Sequence, residues 1–398
     1  MRLYAFEGLH YTPQAGDAGE LAAPPYDQVN DALRDRFHAQ SPYQFVHLSK
    51  PVAPEGGDPY RFAAALHHRW LHDGIIARDP RPALYPYVIA LAGGGERLGV
   101  LGLVRYEDPA VIRPHEATLD KPLADRAALL AAMRVDLEPV LLLSEDRGRL
   151  DALLREDLEA LQPLVRHRDA DGHVHVLYKL DDPERIARYR AVLDVPSAIA
   201  DGHHRYKVGQ RFAQEHQAAP DTAAAAKLAV VTSLDSPALT IDPIHRAFKE
   251  PVDVSRLAGV PAAVRPFPGK SGLAFAAAVA AAPQPALGFW VRGREPEVWH
   301  AGQPGLAVEV FQDTVLPALG LPAAAATDGT VIYRSHPDEL WSEVAAGDLG
   351  TGVWLPPMQP AAFAAAIAGG KMLPAKSTRF LPKVMSGLVW ADHESQVL

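Results

Sequence analysis

Hydrophobic and polar residues follow two periods along this chain, and the changes of period mark its elements. Pro59–Asp73 sets Phe62, Leu66, Trp70 and Leu71 on one side with Arg61, His68 and His72 elsewhere, which predicts an amphipathic helix. The same spacing predicts helices at Asp31–Gln40, Asp125–Met133, Arg147–Leu161 and Pro183–Leu193. Short apolar runs between turn formers predict strands at Tyr4–Leu9, Phe45–Leu48 and Glu138–Ser144, with a further apolar segment at Ala224–Leu234 whose Lys227 is unremarkable. Ala83–Leu91 and Leu98–Tyr106 flank Gly93–Gly95 as a hairpin, and a second hairpin turns at Asp171-Gly172. Leu21–Val29 is an extended, proline-fixed segment. Beyond a proline-rich join at 251–268, helices are predicted at Ala274–Ala281, Val308–Ala318 and Gln359–Ala368. Strands are predicted at Ala286–Val291, Val331–Tyr333 and Gly352–Leu355. This alternation predicts a mixed α/β (α+β) protein in three regions, 1–80, 81–250 and 251–398.

One junction carries unusual chemistry. Val195–Gln210 runs from an apolar strand through Asp201-Gly202 into a helix from about His204 to Ala219. Asp201 is a helix-start residue, and Gly202 lets the chain turn and leaves room for a ligand beside the backbone. A helix start presents N–H groups and a positive dipole end to an anion. Here His203, His204 and Arg205 stand at that spot, and a guanidinium can grip a phosphate bidentately. DGHHR therefore reads as a phosphate cradle, against the alternative of a surface helix start with a chance polar cluster.

Composition narrows the classes. With 398 residues, 48% hydrophobic and 22% charged, the chain has material for two or three domains. It has no cysteine, which excludes disulfides, thiolate nucleophiles and cysteine-bound metals. The formal net charge of −9 disfavours generic nucleic-acid binding. No signal peptide or membrane-spanning run is evident, so a cytoplasmic location is expected. The glycines at 93–95 lack a following helix and a Lys-Ser/Thr pair, so they do not read as a nucleotide loop. His68 and His72 share helical spacing, and His173 and His175 share a strand face. Neither pair has a third ligand nearby, so both are expected on exposed faces rather than at a metal.

DGHHRYKVG resembles the second box of the ParB/sulfiredoxin superfamily, where a short stretch at a helix start holds nucleotide phosphates, and DGHHR itself resembles the free serine kinases of that superfamily. Other segments together resemble a bacterial family known as domain of unknown function number one thousand and fifteen. They are Ala23–Asp27 (APPYD), Ser41-Pro42-Tyr43, His115-Glu116-Ala117-Thr118, Ala124-Asp125-Arg126, Asp201–Arg205 and Lys376–Leu388. The chain departs from the family pattern in having SPY for NPY.

The kinase resemblance implies a ParB/sulfiredoxin-like nucleotide-binding core with added N- and C-terminal α/β regions. It also implies ATP or ADP as donor and Glu116, with His115 beside it, as the base on the serine hydroxyl. A longer stretch separates Glu116 from Asp201 here, including 145–193, than the compact kinases need. Phosphoryl transfer calls for cations on the phosphates, a divalent metal and a group on the acceptor hydroxyl. Arg205, His203, His204 and the backbone around Gly202 serve the first need, within a phosphate-binding stretch that Asp201 opens, and Asp201 or Glu116 with Mg²⁺ serves the second. Glu116 serves the third. Lys376, Ser377, Thr378, Arg379 and Lys383 form a cationic, hydroxyl-rich closing segment that reads either as a phosphate clamp or as a solvated strand. Arg126 lies in the helix expected after His115-Glu116. Asp27 is a further site candidate or else a turn former.

The leading expectation is thus a nucleotide-dependent kinase acting on a small hydroxy metabolite, free L-serine first. A ParB-like nucleotide-binding regulator without kinase activity is the alternative. A metallohydrolase ranks last, since His115-Glu116 lacks the second histidine of an HExxH motif. The expected partners are a nucleotide and a small-molecule substrate, with neither membrane nor nucleic acid.

Overall fold

The expected hairpin forms as strands Tyr85–Ala90 and Glu96–Arg105, in register from Tyr85 opposite Leu101 to Ala90 opposite Glu96. It sits in a nine-stranded mixed sheet, counted among the described residues. The structure is a computed structural model that describes residues 1–116, 120–260 and 262–397. Across the sheet the strands run Ile112–Arg113, Ser197–Asp201, Val140–Ser144, Ala226–Ser233, Glu96–Arg105, Tyr85–Ala90, Val174–Tyr178 and Pro163–Arg168, with Leu3–Tyr4 also on Glu96–Arg105. Ala226–Ser233 runs parallel to Val140–Ser144, while Ser197–Asp201 is antiparallel to Val140–Ser144 and parallel to Ile112–Arg113. The central strands are buried along their whole length because both of their faces are covered. Val140, Leu142, Ile199, Ala229 and Val231 pack with Leu150, Leu154, Ile186 and Tyr189, which come from helices Arg149–Leu158 and Pro183–Val192.

This sheet belongs to the first of two compact units, which holds Met1–Pro114, the chain from helix Asp120–Met133 to Leu239, and the end of the chain from Pro382. The second unit holds Thr240–Leu381 together with His115 and Glu116. Among the described residues it has a six-stranded antiparallel sheet ordered Ala262–Pro266, Glu297–Ala301, Ala286–Val291, Thr351–Trp354, His245–Phe248 and Ile332–Arg334. Strand alternation sends Phe248, Leu287, Phe289 and Val353 into one core and Ala247, Ala286, Val298 and Trp354 into another. Helices Gly272–Ala281 and Pro337–Ala346 cover the latter through Phe275, Val279, Leu340 and Val344.

Three local expectations are corrected. Phe45–Leu48 is not a strand: Val46–Ser49 is a short helix, whose His47, Leu48 and Ser49 N–H groups return to the carbonyls of Gln44 and Phe45. A run of four residues, one of them His47, is too short to fix either period. Tyr4–Leu9 divides into Leu3–Tyr4, on the large sheet, and Leu9–Tyr11, paired with Ile76–Arg78. The helix expected over Val308–Ala318 is Ala307–Val310, a wider π turn at Phe311–Val315, and Leu316–Ala318. No described helix is long and apolar enough to cross a membrane.

Candidate functional site

Strand Ser197–Asp201 hands the chain to helix His203–Glu215 through Gly202, which takes a left-handed φ of 91°. A Cβ on Gly202 would stand 2.8 Å from Val140 Cγ1 and 3.1 Å from Arg205 Nη2. The space beside this glycine is therefore filled by Val140 and the Arg205 guanidinium, not left for a ligand as expected. Arg205 is 7% exposed. Its Nη2 donates to Asp201 Oδ2 at 2.7 Å, and its Nη1 donates to the Pro139 carbonyl. The other Asp201 oxygen accepts from Lys383 Nζ. Burial alone would raise the Asp201 pKa, but the charges of Lys383 and Arg205 outweigh it and hold it at about 2. With one oxygen on an ammonium and the other on a guanidinium, this carboxylate does not fit the Mg²⁺ role expected of it. His203 and His204 are half-buried in the first turn of the helix, and the charge of His203 also bears on Asp201.

Sequence reasoning missed the residue that joins this motif to others. Glu138, 4% exposed, accepts from the Tyr26 backbone N–H at 3.0 Å. Burial raises its pKa, opposed by the charges of Arg205 and Arg126. Arg126 lies over the Tyr26 ring at 4.2 Å, donates to the Ser49 carbonyl at 2.8 Å and pairs with Asp125 at 2.6 Å. The APPYD, ADR and DGHHR segments thus gather around one buried carboxylate. The closing segment joins them, since Ala23 and Ser386 exchange backbone hydrogen bonds of 3.0 and 2.8 Å. A charged residue opening a continuous apolar strand was the available signal for Glu138. Lys227 needs the same correction: it is buried, ion-paired with Asp136, and donates to the Glu138 carbonyl at 3.2 Å. Asp27 is exposed next to Tyr26.

In the second unit His115 is fully buried, with Nε2 2.9 Å from Thr378 Oγ1 and its ring edge-on to Phe363 at 5.0 Å. Its carbonyl accepts from the Leu373 N–H at 2.8 Å. Glu116 Oε1 accepts from the Lys376 N–H at 3.2 Å. Lys376 adopts a φ of 59°, and Ser377 Oγ donates to the Pro374 carbonyl at 2.5 Å. The stretch 376–378 therefore folds on His115-Glu116 as an ordered loop, and Arg379 begins the strand Arg379–Leu381 that pairs with Thr240–Asp242. Arg246, which sequence reasoning passed over, is 2% exposed and donates to the Lys376 carbonyl at 3.1 Å. Burial pushes its pKa down to about 10, and the charges of Tyr333 and Glu116 oppose this. Ala117 and Thr118 lie outside the described residues.

The histidine pairs turn out differently from each other. His72 stays exposed beside Asp73 at 2.9 Å. His175 is buried, not exposed as expected, with Nδ1 2.5 Å from the Tyr87 hydroxyl and Nε2 2.9 Å from Asp169 Oδ2. His173 Nδ1 accepts from the Ala92 N–H at 3.1 Å. Asp169, Asp171 and His173 have ligand atoms within 4.8 Å of one another, on a surface turn in which Asp169 Oδ1 already accepts from the N–H groups of residues 171 and 173.

Residues 3–265 match a family described as "Protein of unknown function (DUF1015)". Among curated proteins, none matches the chain. Solved structures that align with it include a conserved hypothetical protein from Pyrococcus furiosus, at 14% identity and TM-score 0.38 over 71% of this chain and 94% of that one. A free serine kinase in complex with AMP aligns at 15% identity and TM-score 0.38, over 70% of this chain and 88% of that one. SbnI with a C-terminal truncation, from Staphylococcus aureus, aligns at 12% identity and TM-score 0.38, over 72% and 85%. The chain belongs to the DUF1015 family.

Proposed function

We propose that this DUF1015 member is a nucleotide-dependent phosphotransferase that passes a phosphoryl group from ATP or ADP to the hydroxyl of a small metabolite, with free L-serine as the first acceptor to test. The first unit is read as a ParB/sulfiredoxin-like core carrying DGHHR. The observation behind the reading is the Asp201 carboxylate, which ties Arg205 of DGHHR to Lys383 of the closing segment at the mouth of helix His203–Glu215. A phosphate tail is held by fixed cations and by helix N-terminal N–H groups. Lys383, with its side chain 17% exposed, and His203 and His204 in the first turn supply the groups this reading assigns to the phosphates. Arg205 is a positioning residue: it sets the Asp201 carboxylate, which in turn sets the Lys383 ammonium.

Glu116 is assigned to the acceptor, as the kinase resemblance implies. The Lys376 N–H fixes one of its oxygens. In the transfer, the acceptor oxygen bonds to the terminal phosphorus of the nucleotide and the bond from that phosphorus to the bridging oxygen breaks. The hydroxyl proton passes to the Glu116 carboxylate. His115, buried against Phe363 and tied to Thr378, is a positioning residue for its neighbour. No step is assigned to Mg²⁺, because the Asp201 carboxylate expected to hold it is engaged by two cations.

The test incubates the purified chain with ATP or ADP, a magnesium salt and L-serine, then with a panel of hydroxy metabolites, and follows phosphorylated products by mass spectrometry. Phosphoserine whose formation stops in Glu116→Gln is the expected result. Nucleotide-dependent thermal stabilisation without transfer to any acceptor would instead favour a nucleotide-binding regulator. Neither product nor nucleotide stabilisation overturns both readings.

A further inference from the structure

A cleft of about 720 Å³ in the first unit is lined by Tyr26, Asp27, Lys50, Tyr60, Asp125 and Arg126, among others, and the phosphotransfer reading leaves it unused. It brings the APPYD and ADR segments to one surface. Most of its polar groups are already committed. Asp125 accepts from the Tyr60 hydroxyl at 2.9 Å and from Arg126 at 2.6 Å, and Arg126 is anchored over the Tyr26 ring. Asp27 differs: it is exposed, and no described residue forms a hydrogen bond or ion pair with it. Its backbone is nonetheless held in place, because the preceding Tyr26 N–H is tied to buried Glu138. Lys50 spends one of its three protons on the Val29 carbonyl.

We infer that this cleft binds a small zwitterion of the α-amino-acid class, with the ligand ammonium on Asp27 and its carboxylate on Lys50. The charge balance of the walls selects this class. Asp27, Asp31 and Asp125 face Arg34, Lys50 and Arg126 around the cleft, so a polyanion meets three carboxylates and a simple cation meets three positive groups. A ligand carrying both signs finds a partner for each. The two aromatic rings and Pro51 and Pro59 give the cleft stiff walls, so little ordering accompanies binding.

The inference is independent of phosphotransfer and is tested without nucleotide. Calorimetric titration of the full chain with L-serine and the other proteinogenic amino acids is compared with ethanolamine, which keeps only the ammonium, and glycerate, which keeps only the carboxylate. At least one amino acid is expected to bind at least ~10-fold more tightly than both single-charge probes. Asp27→Asn and Lys50→Met are each expected to weaken it ~10-fold or more. Thermal melting is expected to stay unchanged in Asp27→Asn, because Asp27 is exposed, and to fall in Lys50→Met, which also loses the bond to the Val29 carbonyl. No amino-acid binding, equal binding of the single-charge probes, or indifference to both variants overturns the inference. Phosphoserine formation together with such indifference overturns the cleft assignment alone. Amino-acid binding that depends on Asp27, without any transfer, overturns the phosphotransferase reading alone.

Discussion

The carboxylate of Asp201 and the ammonium of Lys383 lie 182 residues apart in sequence and form an ion pair, with Arg205 on the second carboxylate oxygen. Because the folded pKa of Asp201 is depressed to about 2 from an ordinary 3.8, the stabilisation is complete above pH 3.8 and disappears as pH falls through about 2. It amounts to roughly 2 kcal/mol. Lys383→Met is expected to lower stability at pH 7 by about 1–2 kcal/mol, with the gap from the natural chain closing toward pH 2. Urea midpoints at the two pH values check this; equal midpoints at pH 7 would remove the pair from the account.

Mild acid acts earlier, through buried neutral histidines. His67 Nε2 accepts from the Trp390 indole N–H at 3.3 Å, and His245 Nδ1 accepts from the Leu355 N–H at 3.2 Å. Burial pushes their pKa values down from 6.5 to about 4 and about 3. The unfolded chain thus takes up protons that these folded imidazoles refuse, so stability is full above pH 6.5 and falls as pH drops toward those values. For His67 the loss between pH 7.5 and 5 is about 2 kcal/mol. His67→Gln, whose amide oxygen can still accept from Trp390, should flatten the stability profile over that range. A slope equal to that of the natural chain would contradict the neutral, buried assignment.

Gly202→Ala should be costly for two separate reasons. The residue sits at φ 91°, and the added methyl would meet Val140 Cγ1 at 2.8 Å and the Arg205 guanidinium at 3.1 Å. A loss of about 1–3 kcal/mol is expected, with weakened nucleotide-dependent stabilisation because the Arg205–Asp201 contact must shift. Denaturant melts with and without ATP separate the two effects.

Glu138 is expected to matter more for its charge than for its shape. Glu138→Gln keeps an oxygen for the Tyr26 N–H, but leaves Arg205 and Arg126 without the buried negative charge that faces them. A cost of ~3 kcal/mol is expected, and Glu138→Ala should cost more by also releasing the Tyr26 backbone. Equilibrium unfolding of the two variants checks this; a Glu138→Gln variant as stable as the natural chain would show that the carboxylate charge is irrelevant.

Activity variants divide by role. Glu116→Gln should lower kcat by at least ~100-fold with little change in nucleotide binding, as expected for loss of a base. Thr378→Val removes the partner of His115 Nε2 and should lower kcat by less, about 10-fold, because it acts only through positioning. Equal losses in the two variants would show that Glu116 does no proton transfer.

Local periodicity alone determined much of this chain. Asp31–Gln40 is a helix with the expected bounds, capped by the Asn30 side chain, and the glycine-turned hairpin stands where the alternation placed it. Strand, Gly202 and helix follow one another as read, since each depends on neighbours a few residues away. Tertiary structure alone decided what the charges do. Arg205 reads as a phosphate grip, yet its guanidinium turns inward to Asp201 and the Pro139 carbonyl. Glu138 and Lys227, hidden at apolar strands, are held by Tyr26 and Asp136. The physical reason is that a helix or strand is specified by contacts along the chain, whereas a buried charge must be compensated by whatever distant segment folds beside it.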